Sequence, residues 1–389
     1  MKKKIKTCSR CILTSTIPNV NIMEDGLCSE CHGYFSNKKN KDGYDIKLYT
    51  TRMKKIFSEV KRKKQKYDIL VGFSGGKDSA YLLYLLKNKY KLRPLAVSII
   101  HPLVNKTSLI NMELVAEKID FNLIKFFVNS TLYKKYIKEG LTEANKINLG
   151  PHSACRLCNY FKDTVLNNLA ETMGIPLLSY GTDSAQFPKP MILQGIEKKE
   201  FYKYHIKPLN QIFNKIFGNK YKNTLYDINE KQFCKKNSPI IIYPFTFLKE
   251  YTPEKALNML KKIGIERDKM NPEKTNCDAI HLFNYLSYKK YSCHSQIFTY
   301  ANAIRKISYN NQAKGKKAKR KIANYFAAYE KLLYYLIKKN GQKTIKDKET
   351  KKIFKIFPKF KKMKYKNLIL MIEGISKIKY YSKYFNIKL

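Results

Sequence analysis

The sequence of 389 residues lacks tryptophan and is poor in acidic residues. Only 30 Asp and Glu stand against 77 Lys and Arg, so the formal net charge is +47. An AT-rich coding sequence also produces many Lys, Ile, Asn and Tyr residues and no Trp. Part of the positive charge can therefore arise from base composition and is not evidence for an anionic partner. The basic residues are spread along the chain, with local peaks at 52–66 and 314–321, and most are expected to form solvated helix faces.

The remaining excess of positive charge favours an anionic partner. RNA, acidic lipid headgroups and an acidic sugar nucleotide all fit that description. Nucleic acid is therefore a candidate partner, although the charge alone does not favour it over the other two.

Long hydrophobic stretches are also absent. No apolar run approaches the roughly eighteen residues that a transmembrane helix needs, and no signal-peptide pattern opens the chain. These absences predict a cytoplasmic protein without a transmembrane segment. Because 44% of the residues are hydrophobic, the chain is expected to be globular, with one large core or two smaller ones.

The spacing of the cysteines is the first sequence feature that indicates a specific chemistry. Cytoplasmic cysteines are expected to be reduced, so the spacing of these nine suggests metal or redox chemistry. Near the N-terminus two Cys-x₂-Cys pairs are separated by sixteen residues: Cys8, Cys11, Cys28 and Cys31. This spacing predicts a zinc ribbon with four thiolate ligands, which makes His32 unnecessary as a ligand. A closed site of this kind has a structural role, because it leaves no open coordination position.

The second signal is the stretch VGFSGGKDSAYLL at 71–83. It is not a Walker loop, because Val71 replaces the first glycine and Asp78 replaces the hydroxyl residue after Lys77. The flanking patterns predict a buried strand over 67–73 and a helix over 78–90. The glycines between them would let the backbone approach an anion at the helix N-terminus. An ordinary Gly-rich turn would explain the glycines but not the Ser, Lys, Asp and Ser around them.

The six residues Ser74 to Ser79, S-G-G-K-D-S, resemble the PP-loop of the ATP pyrophosphatase superfamily. The resemblance implies that the loop grips the pyrophosphate of ATP and that the enzyme transfers AMP to a carbonyl oxygen. It also implies a doubly wound, Rossmann-like parallel α/β sheet.

Further strand and helix patterns fit this fold: strands over 93–100 and 121–128, a helix over 108–120, and a later strand that runs into a polar loop within 175–185. Ligands bind such sheets beyond the carboxyl ends of the strands. His101, Asp183 and Ser184 lie there by position. For His101, a polar residue that merely ends a strand is as good an interpretation as a nucleotide contact.

The order of the two motifs, first the ribbon and then the loop, indicates a more specific family. Together with CRLCNYF at 155–161 and the segment 274–298, it resembles the N-acetyl sugar amidotransferase family, whose members include pseudaminic-acid and lipopolysaccharide enzymes. The match runs in order from about residue 7 to 305. After about residue 310 the sequence departs from the family's basic C-terminal helix, so the resemblance implies no role for that part.

The family resemblance implies an ATP-dependent reaction on an N-acetylated sugar, either a pseudaminic acid type or a nucleotide-linked sugar. The acetamido oxygen is adenylated, and ammonia then displaces AMP to leave an acetamidino group. Such products serve flagellin glycosylation and lipopolysaccharide or other surface glycans. The chain shows no glutaminase motif, so the ammonia is expected from a separate glutaminase subunit.

The resemblance also implies roles for individual residues. Lys77 would balance the triphosphate, and Asp78 would orient the loop or help hold Mg²⁺, with Asp183 as a second carboxylate. The expected phosphate donors are Ser74, Gly75, Gly76 and Ser79. Arg156 and His152 are weaker candidates for contacts with an acidic sugar.

The pair Cys155-x₂-Cys158 keeps an alternative open. PP-loop enzymes that thiolate tRNA combine zinc ribbons with central Cys-x₂-Cys pairs that hold an iron–sulfur cluster or carry sulfur. A third thiolate would be needed, for which Cys277, Cys234 and Cys293 are available. The pair could instead be buried or form a second structural zinc site. A third hypothesis is a basic zinc-ribbon protein that binds nucleic acid, against which the intact loop argues.

The predicted domain organisation has four parts: a zinc ribbon over 1–45, a PP-loop ATP-binding α/β domain over 46–200, a substrate or partner region over 201–310, and a basic helical region over 311–389. Residues 239–245 are expected to return as a strand to the sheet.

Overall fold

The computed structural model describes residues 5–36, 45–266, 277–338, 371, 375 and 377–387. The chain divides into two compact units. The ribbon unit comprises Met1–Tyr44, Ala144–Ala154 and Asn276–Leu389, and the sheet unit comprises Asp45–Glu143 and Cys155–Thr275.

The sheet unit is built on six strands: β1 Ile69–Gly72, β2 Pro94–Ile100, β3 Asn122–Phe127, β4 Leu177–Tyr180, β5 Met191–Leu193 and β6 Ile240–Tyr243. Their order is β3-β2-β1-β4-β6-β5. All neighbouring pairs are parallel except β5 and β6, which are antiparallel. The chain therefore starts in the middle of the sheet and is wound outward in both directions, with β1 and β4 on either side of the point where the direction changes.

Hydrophobic residues on both faces explain why the central strands are parallel and buried. Strand β1 reads ILVG and β2 reads PLAVSII, and almost every side chain in them is buried. Strand β3, NLIKFF, lies at an edge of the sheet, and none of its side chains is fully buried.

Helices cover the sheet: α2 Ile46–Arg62, α3 Lys77–Tyr84, α4 Lys106–Ile119, α5 Ser130–Lys146, α6 Ser153–Thr172, α7 Ile196–Phe201, α8 Lys207–Phe217, α9 Glu230–Phe233 and α10 Pro253–Lys262. Two of them continue as π-helical turns, α3 into Leu85–Lys89 and α7 into Tyr202–Ile206. The 200–240 segment, which lacks a clear hydrophobic period in the sequence, thus contributes the end of α7 with its π-helical turn, α8 and α9. Phe213 and Phe233 of this segment are almost completely buried, so its aromatic residues pack the core of the sheet unit.

The ribbon unit combines the N-terminal cysteines with helices from the end of the chain. Its helices are α1 Ser29–Ser36, α11 Ile280–Tyr291, α12 Ile297–Asn310, α13 Gln312–Lys338 and α14 Ile378–Phe385. Buried cysteines pack in one hydrophobic cluster with Ile297, Ala301 and Ile304 of α12. Lys319 of α13 donates to the carbonyl oxygens of Cys8 and Ser9 at 2.7 and 2.9 Å. The C-terminal helices therefore serve as the scaffold of the ribbon.

The predicted fold class is confirmed. The structure is an α/β protein with a mostly parallel six-stranded sheet, an N-terminal cluster of cysteines and a helical C-terminal region. Among the described helices, none combines the length and the apolar character that crossing a membrane requires.

Candidate functional site

The loop between β1 and α3 is shaped by close backbone packing. Gly75 has a φ of +73°, and a Cβ there would lie 2.4 Å from the carbonyl oxygen of Ser108 in α4. Gly76 precedes α3 with an extended backbone and no side-chain cap. The hydroxyl of Ser79 accepts from the backbone N–H of Ser74 at 3.3 Å and lies 3.2 Å from the Ser74 hydroxyl. The two serines therefore close the loop over the first turn of the helix.

The sheet places this loop where a ligand is expected. Ser74–Ser79 follow β1, which lies between β2 and β4 at the point where the winding direction changes. Gly181 directly follows β4, and a Cβ there would lie only 2.6 Å from the backbone nitrogen of Ser79. Sequence reasoning missed Gly181, although a glycine directly after the predicted strand was the available signal.

Lys77 and Asp78 form an ion pair at the start of α3, with the Lys77 ammonium 2.7 Å from both carboxylate oxygens. The hydroxyl of Tyr251 donates to the same carboxylate, and its ring stacks on Phe245 with centroids 4.1 Å apart. Burial raises the pKa of Tyr251, and the charges of Asp78 and Asp183 raise it further. Tyr251 thus remains a hydrogen-bond donor at neutral pH, and it fixes the orientation of Asp78.

Asp183 lies in the loop after β4 and holds its own turn together. One carboxylate oxygen accepts from the backbone N–H groups of Ala185 and Gln186, both at 3.1 Å. The charge of Asp183 also contributes to the raised pKa of Tyr251, the residue whose hydroxyl donates to Asp78. Both carboxylates are partly exposed, and carboxylate oxygens are among the ligands that Mg²⁺ prefers.

A second group lies at the end of β2. The imidazole Nε2 of His101 is 3.4 Å from the sulfur of Cys158, and the Tyr133 hydroxyl donates to that sulfur at 3.3 Å. The rings of His101 and Tyr133 stack with centroids 4.7 Å apart. The structure thus places two residues in contact that no sequence motif connects: the histidine beyond β2 and the second cysteine of the central pair.

The two cysteines of the central pair differ in acidity. Burial opposes ionisation of Cys158, but His101, Tyr133 and Lys162 outweigh it and lower its pKa. Burial and the neighbouring Cys158 raise the pKa of Cys155 to about 12. A half-buried thiol in contact with an imidazole is suited to nucleophilic or redox chemistry, whereas Cys155 remains a neutral thiol.

The candidates for a third ligand of this pair are distributed over both units. Cys234 belongs to the sheet unit, whereas Cys277 and the buried Cys293 belong to the ribbon unit. Within the described ranges, just one group of three or more Cys, His, Asp or Glu residues has its ligand atoms within 4.8 Å of one another, and it is the N-terminal cluster. The second metal site at Cys155 and Cys158 stays a prediction.

The two weaker candidates for sugar contacts have other partners. Arg156 donates to the carbonyl oxygen of Tyr204 at 3.1 Å, and burial lowers its pKa. His152 lies in the ribbon unit, where its Nδ1 is 3.2 Å from the carbonyl oxygen of Ser295.

The four N-terminal cysteines meet the geometric requirements of a metal site. The sulfur atoms of Cys8, Cys11, Cys28 and Cys31 all lie within 4.8 Å of one another, and those of Cys11 and Cys28 are 3.6 Å apart. A tetrahedral ion with metal–sulfur bonds of about 2.3 Å requires sulfur separations of about 3.8 Å. The cluster therefore fits a single ion, because an iron–sulfur cluster, with its ligands on different iron atoms, would spread the sulfurs further apart.

Arg305 of α12 supplies positive charge to this cluster. Its side chain is only 2% exposed, and Nη1 lies 3.7 Å from the sulfur of Cys11 and 3.9 Å from that of Cys31. Burial disfavours the charged guanidinium, but the neighbouring sulfurs more than offset this and raise its pKa. Four thiolates around a divalent ion carry a net negative charge, which a buried guanidinium offsets. No sequence signal connects Arg305 to cysteines so distant along the chain.

No protein-family model matches the sequence. An uncharacterized protein of Methanocaldococcus jannaschii is 29% identical over 154 residues, which make up 39% of this chain and 50% of that protein. The chain thus spans about half the length of the curated relative that it matches.

Three solved structures show a distant similarity to this chain. A U34-tRNA thiolase from Methanococcus maripaludis, with its 4Fe–4S cluster, has 16% identity and a TM-score of 0.34, covering 81% of this chain and 86% of that one. An NH₃-dependent NAD synthetase from Campylobacter jejuni has 14% identity and a TM-score of 0.32, covering 59% and 78%. An NMN synthetase from Francisella tularensis has 12% identity and a TM-score of 0.27, covering 59% and 85%. The chain's own loop and sheet define its class, an α/β protein with the loop S-G-G-K-D-S at the switch point of a mostly parallel sheet.

We expect Arg305→Ala to weaken metal binding by the ribbon, because four thiolates would lose their buried counter-charge. Loss of a partner next to the ligands typically costs 10- to 100-fold in metal affinity. The measurement is the rate of metal release to a chelator, with the metal content determined by elemental analysis. One zinc per chain is expected in the wild type.

The matched control is Arg320→Ala, which removes an exposed arginine from α13 of the same unit. It should release metal at the wild-type rate. Equal release rates for Arg305→Ala and the wild type would show that the guanidinium does not stabilise the site.

We expect iodoacetamide to modify Cys158 before Cys155, because the lower pKa of Cys158 gives it the larger thiolate fraction at neutral pH. His101→Asn should slow the modification of Cys158, since it removes the imidazole that lowers this pKa. The modified sites and their rates can be read by peptide mass spectrometry between pH 6 and pH 9. His32→Asn, at an exposed histidine of α1, is the control. Equal modification of both cysteines, or protection of both by a bound metal, would contradict this account.

Proposed function

We propose that this protein is an ATP-dependent, AMP-forming amidotransferase of the PP-loop ATP pyrophosphatase type. In this proposal it adenylates the acetamido oxygen of an N-acetylated sugar and replaces that oxygen with ammonia. The observation that carries the proposal is the intact S-G-G-K-D-S loop of Ser74–Ser79, closed by the Ser74–Ser79 contacts at the switch point of a parallel sheet. The sugar is suggested by the family resemblance of the cysteine ribbon, the loop and the segments that follow.

The loop offers ATP a cradle of backbone N–H groups. At the N-terminus of α3 these groups and the helix dipole favour the pyrophosphate. Gly75 and Gly76 let the phosphates approach the backbone, and the hydroxyls of Ser74 and Ser79 add donors. Lys77 would exchange its partner Asp78 for the phosphates, because its side chain, 20% exposed, lies at the same helix end.

The carboxylates of Asp78 and Asp183 would hold Mg²⁺ in this proposal. The ion, when bound, supplies positive charge to the phosphate oxygens. Tyr251 keeps Asp78 in place when Lys77 turns to the phosphates, because its hydroxyl donates to the same carboxylate. Catalysis by these residues is mainly positioning and neutralisation of charge.

The proposed reaction has two steps. The acetamido oxygen attacks the α-phosphorus of ATP, and pyrophosphate leaves. The nitrogen of ammonia then attacks the activated carbon, AMP leaves with the former amide oxygen, and loss of a proton gives the acetamidino group. The protein's task is to hold a weakly nucleophilic amide oxygen in line with the leaving pyrophosphate, which is worth several orders of magnitude in rate.

The proposal includes a cytoplasmic location and a separate glutaminase subunit that supplies the ammonia. The substrate is an N-acetylated sugar of the pseudaminic acid type or a nucleotide-linked one, and the product serves flagellin or other surface glycans. Free ammonium salt is expected to substitute for the glutaminase in vitro.

The test is mass spectrometry of purified protein with Mg-ATP, an ammonium salt and a panel of N-acetylated sugars, free and nucleotide-linked. We expect one sugar to exchange an oxygen for NH, with one AMP and one pyrophosphate formed per product. Lys77→Ala should lower the rate by roughly 100- to 1,000-fold, as expected for loss of a residue that stabilises developing charge. Lys118→Ala, at an exposed position of α4, is the matched control and should retain full activity.

One outcome of this experiment would contradict the proposal. If no sugar changes while bound tRNA gains sulfur once an iron–sulfur cluster has been rebuilt, the amidotransferase assignment is wrong. Cys155 and Cys158 would then be the centre of a tRNA thiolase. Co-purified RNA with steep salt sensitivity and no turnover would instead favour a nucleic-acid-binding protein.

A further inference from the structure

A cavity of about 490 Å³ opens in the sheet unit, away from the PP-loop. It is lined by Ile175 and Pro176 before β4, by Pro239 before β6, and by Gln194 and Gly195 after the antiparallel β5. Residues before β4 and β6 lie at the amino-terminal edge of the parallel sheet, whereas the loop after β1 lies at the carboxyl edge. The cavity is therefore separate from the proposed ATP site, and its size suits a small metabolite.

The charge of the cavity wall is strongly positive. Its lining includes Lys63, Lys198, Lys235 and Lys236 against one acidic residue, Glu171. Lys235 forms an ion pair with Glu171. Three lysines thus remain without a carboxylate partner among the lining residues, which favours an anionic ligand.

Lys198 is a fixed part of this wall. Its side chain is only 2% exposed, and its ammonium donates to the Ser238 hydroxyl at 2.7 Å and to the Pro239 carbonyl oxygen at 2.8 Å. The ammonium also lies 4.6 Å from the ring centroid of Phe233. Burial lowers the pKa of Lys198 to about 8, so the amine is mostly charged at neutral pH. Two of its three N–H bonds have acceptors among the residues that line the cavity.

Two buried oxygen acceptors of the same cavity lack a donor. Within the described part of the chain, Glu171 Oε2 and Gln65 Oε1 have no hydrogen-bond partner. The other carboxylate oxygen of Glu171 is used by Lys235. Unpartnered buried acceptors are costly, and a ligand with hydroxyl or amino groups would satisfy them.

We propose that this cavity binds a small metabolite that carries one anionic group, a phosphate or a carboxylate, beside hydroxyl or amino donors. The anionic group contacts Lys198 and the lysines at the rim, and the donors contact Gln65 and Glu171. The proposal does not depend on the chemistry at the PP-loop, since the two sites lie at opposite edges of the sheet.

The test is isothermal titration of the full-length protein with glucose 6-phosphate, L-glutamine, inorganic phosphate and glucose. Glucose 6-phosphate and L-glutamine distinguish the phosphate and carboxylate sources. We expect at least one of them to bind with a dissociation constant below about 1 mM and glucose not to bind. Binding of inorganic phosphate alone would show that the donors are not used and would overturn the proposal.

Lys198→Met should weaken the bound probe about tenfold or more, because one charge-assisted hydrogen bond is lost. Since Lys198 is buried, the double variant Lys63→Met with Lys236→Met, at exposed positions, provides a second test that leaves the core intact. Glu171→Gln tests whether Glu171 accepts hydrogen bonds from the hydroxyl or amino groups of the ligand. Lys118→Met is the matched surface control and should bind like the wild type.

Lys77→Ala separates this site from the PP-loop. We expect it to bind the probe unchanged, whether or not the enzyme turns over any sugar. Loss of binding in Lys77→Ala, unchanged binding in both lysine variants of the cavity, or no binding of either donor-bearing probe would overturn the proposal.

Discussion

The candidate ATP site depends on close contact between backbones at the carboxyl edge of the sheet. Side chains are absent at the two points where this contact is closest, Gly75 against Ser108 and Gly181 against Ser79. A Cβ at either glycine would collide with backbone atoms, which cannot move away as a flexible side chain can. These contacts hold the loop between β1 and α3 against α4 on one side and against the segment after β4 on the other, and they fix the direction in which the first N–H groups of α3 point.

The ribbon depends on electrostatic balance in addition to packing. Nearby positive charge and hydrogen-bond donors would stabilise four buried thiolates around an ion. Arg305 supplies the charge from α12, and Lys319 of α13 binds the backbone of the first cysteine knuckle. This explains why helices from the far end of the chain belong to the same unit as the N-terminus. The basic C-terminal helix thus has a structural role, which accounts for part of its charge without a nucleic-acid partner.

Local patterns predicted the central strands, the loop and the four-cysteine cluster, because hydrophobic runs and short spacings are properties of neighbouring residues. Contacts between distant residues carry no such signal. The hydroxyl of Tyr251 donates to Asp78, although the two residues are 173 positions apart in the sequence. Arg305 contacts the sulfur of Cys11, which is 294 positions away. The cavity at the amino-terminal edge is likewise assembled from the turn after α2, the end of α6 and the segment before β6, whose aromatic and basic sequence shows no period of its own. Only the packed structure reveals these groups.

The central claim is that Ser74–Ser79 bind the triphosphate of ATP in a geometry set by the neighbouring glycines. The most direct test is the affinity of a non-hydrolysable ATP analogue with Mg²⁺ for the wild type and for Gly181→Ala, with circular dichroism melting to confirm the fold. A folded Gly181→Ala that binds roughly a hundredfold more weakly is the predicted result, because a small displacement of α3 misplaces its donors. Gly33→Ala, where a Cβ meets no atom within 4 Å, should bind like the wild type. Unchanged affinity in Gly181→Ala would contradict the claim.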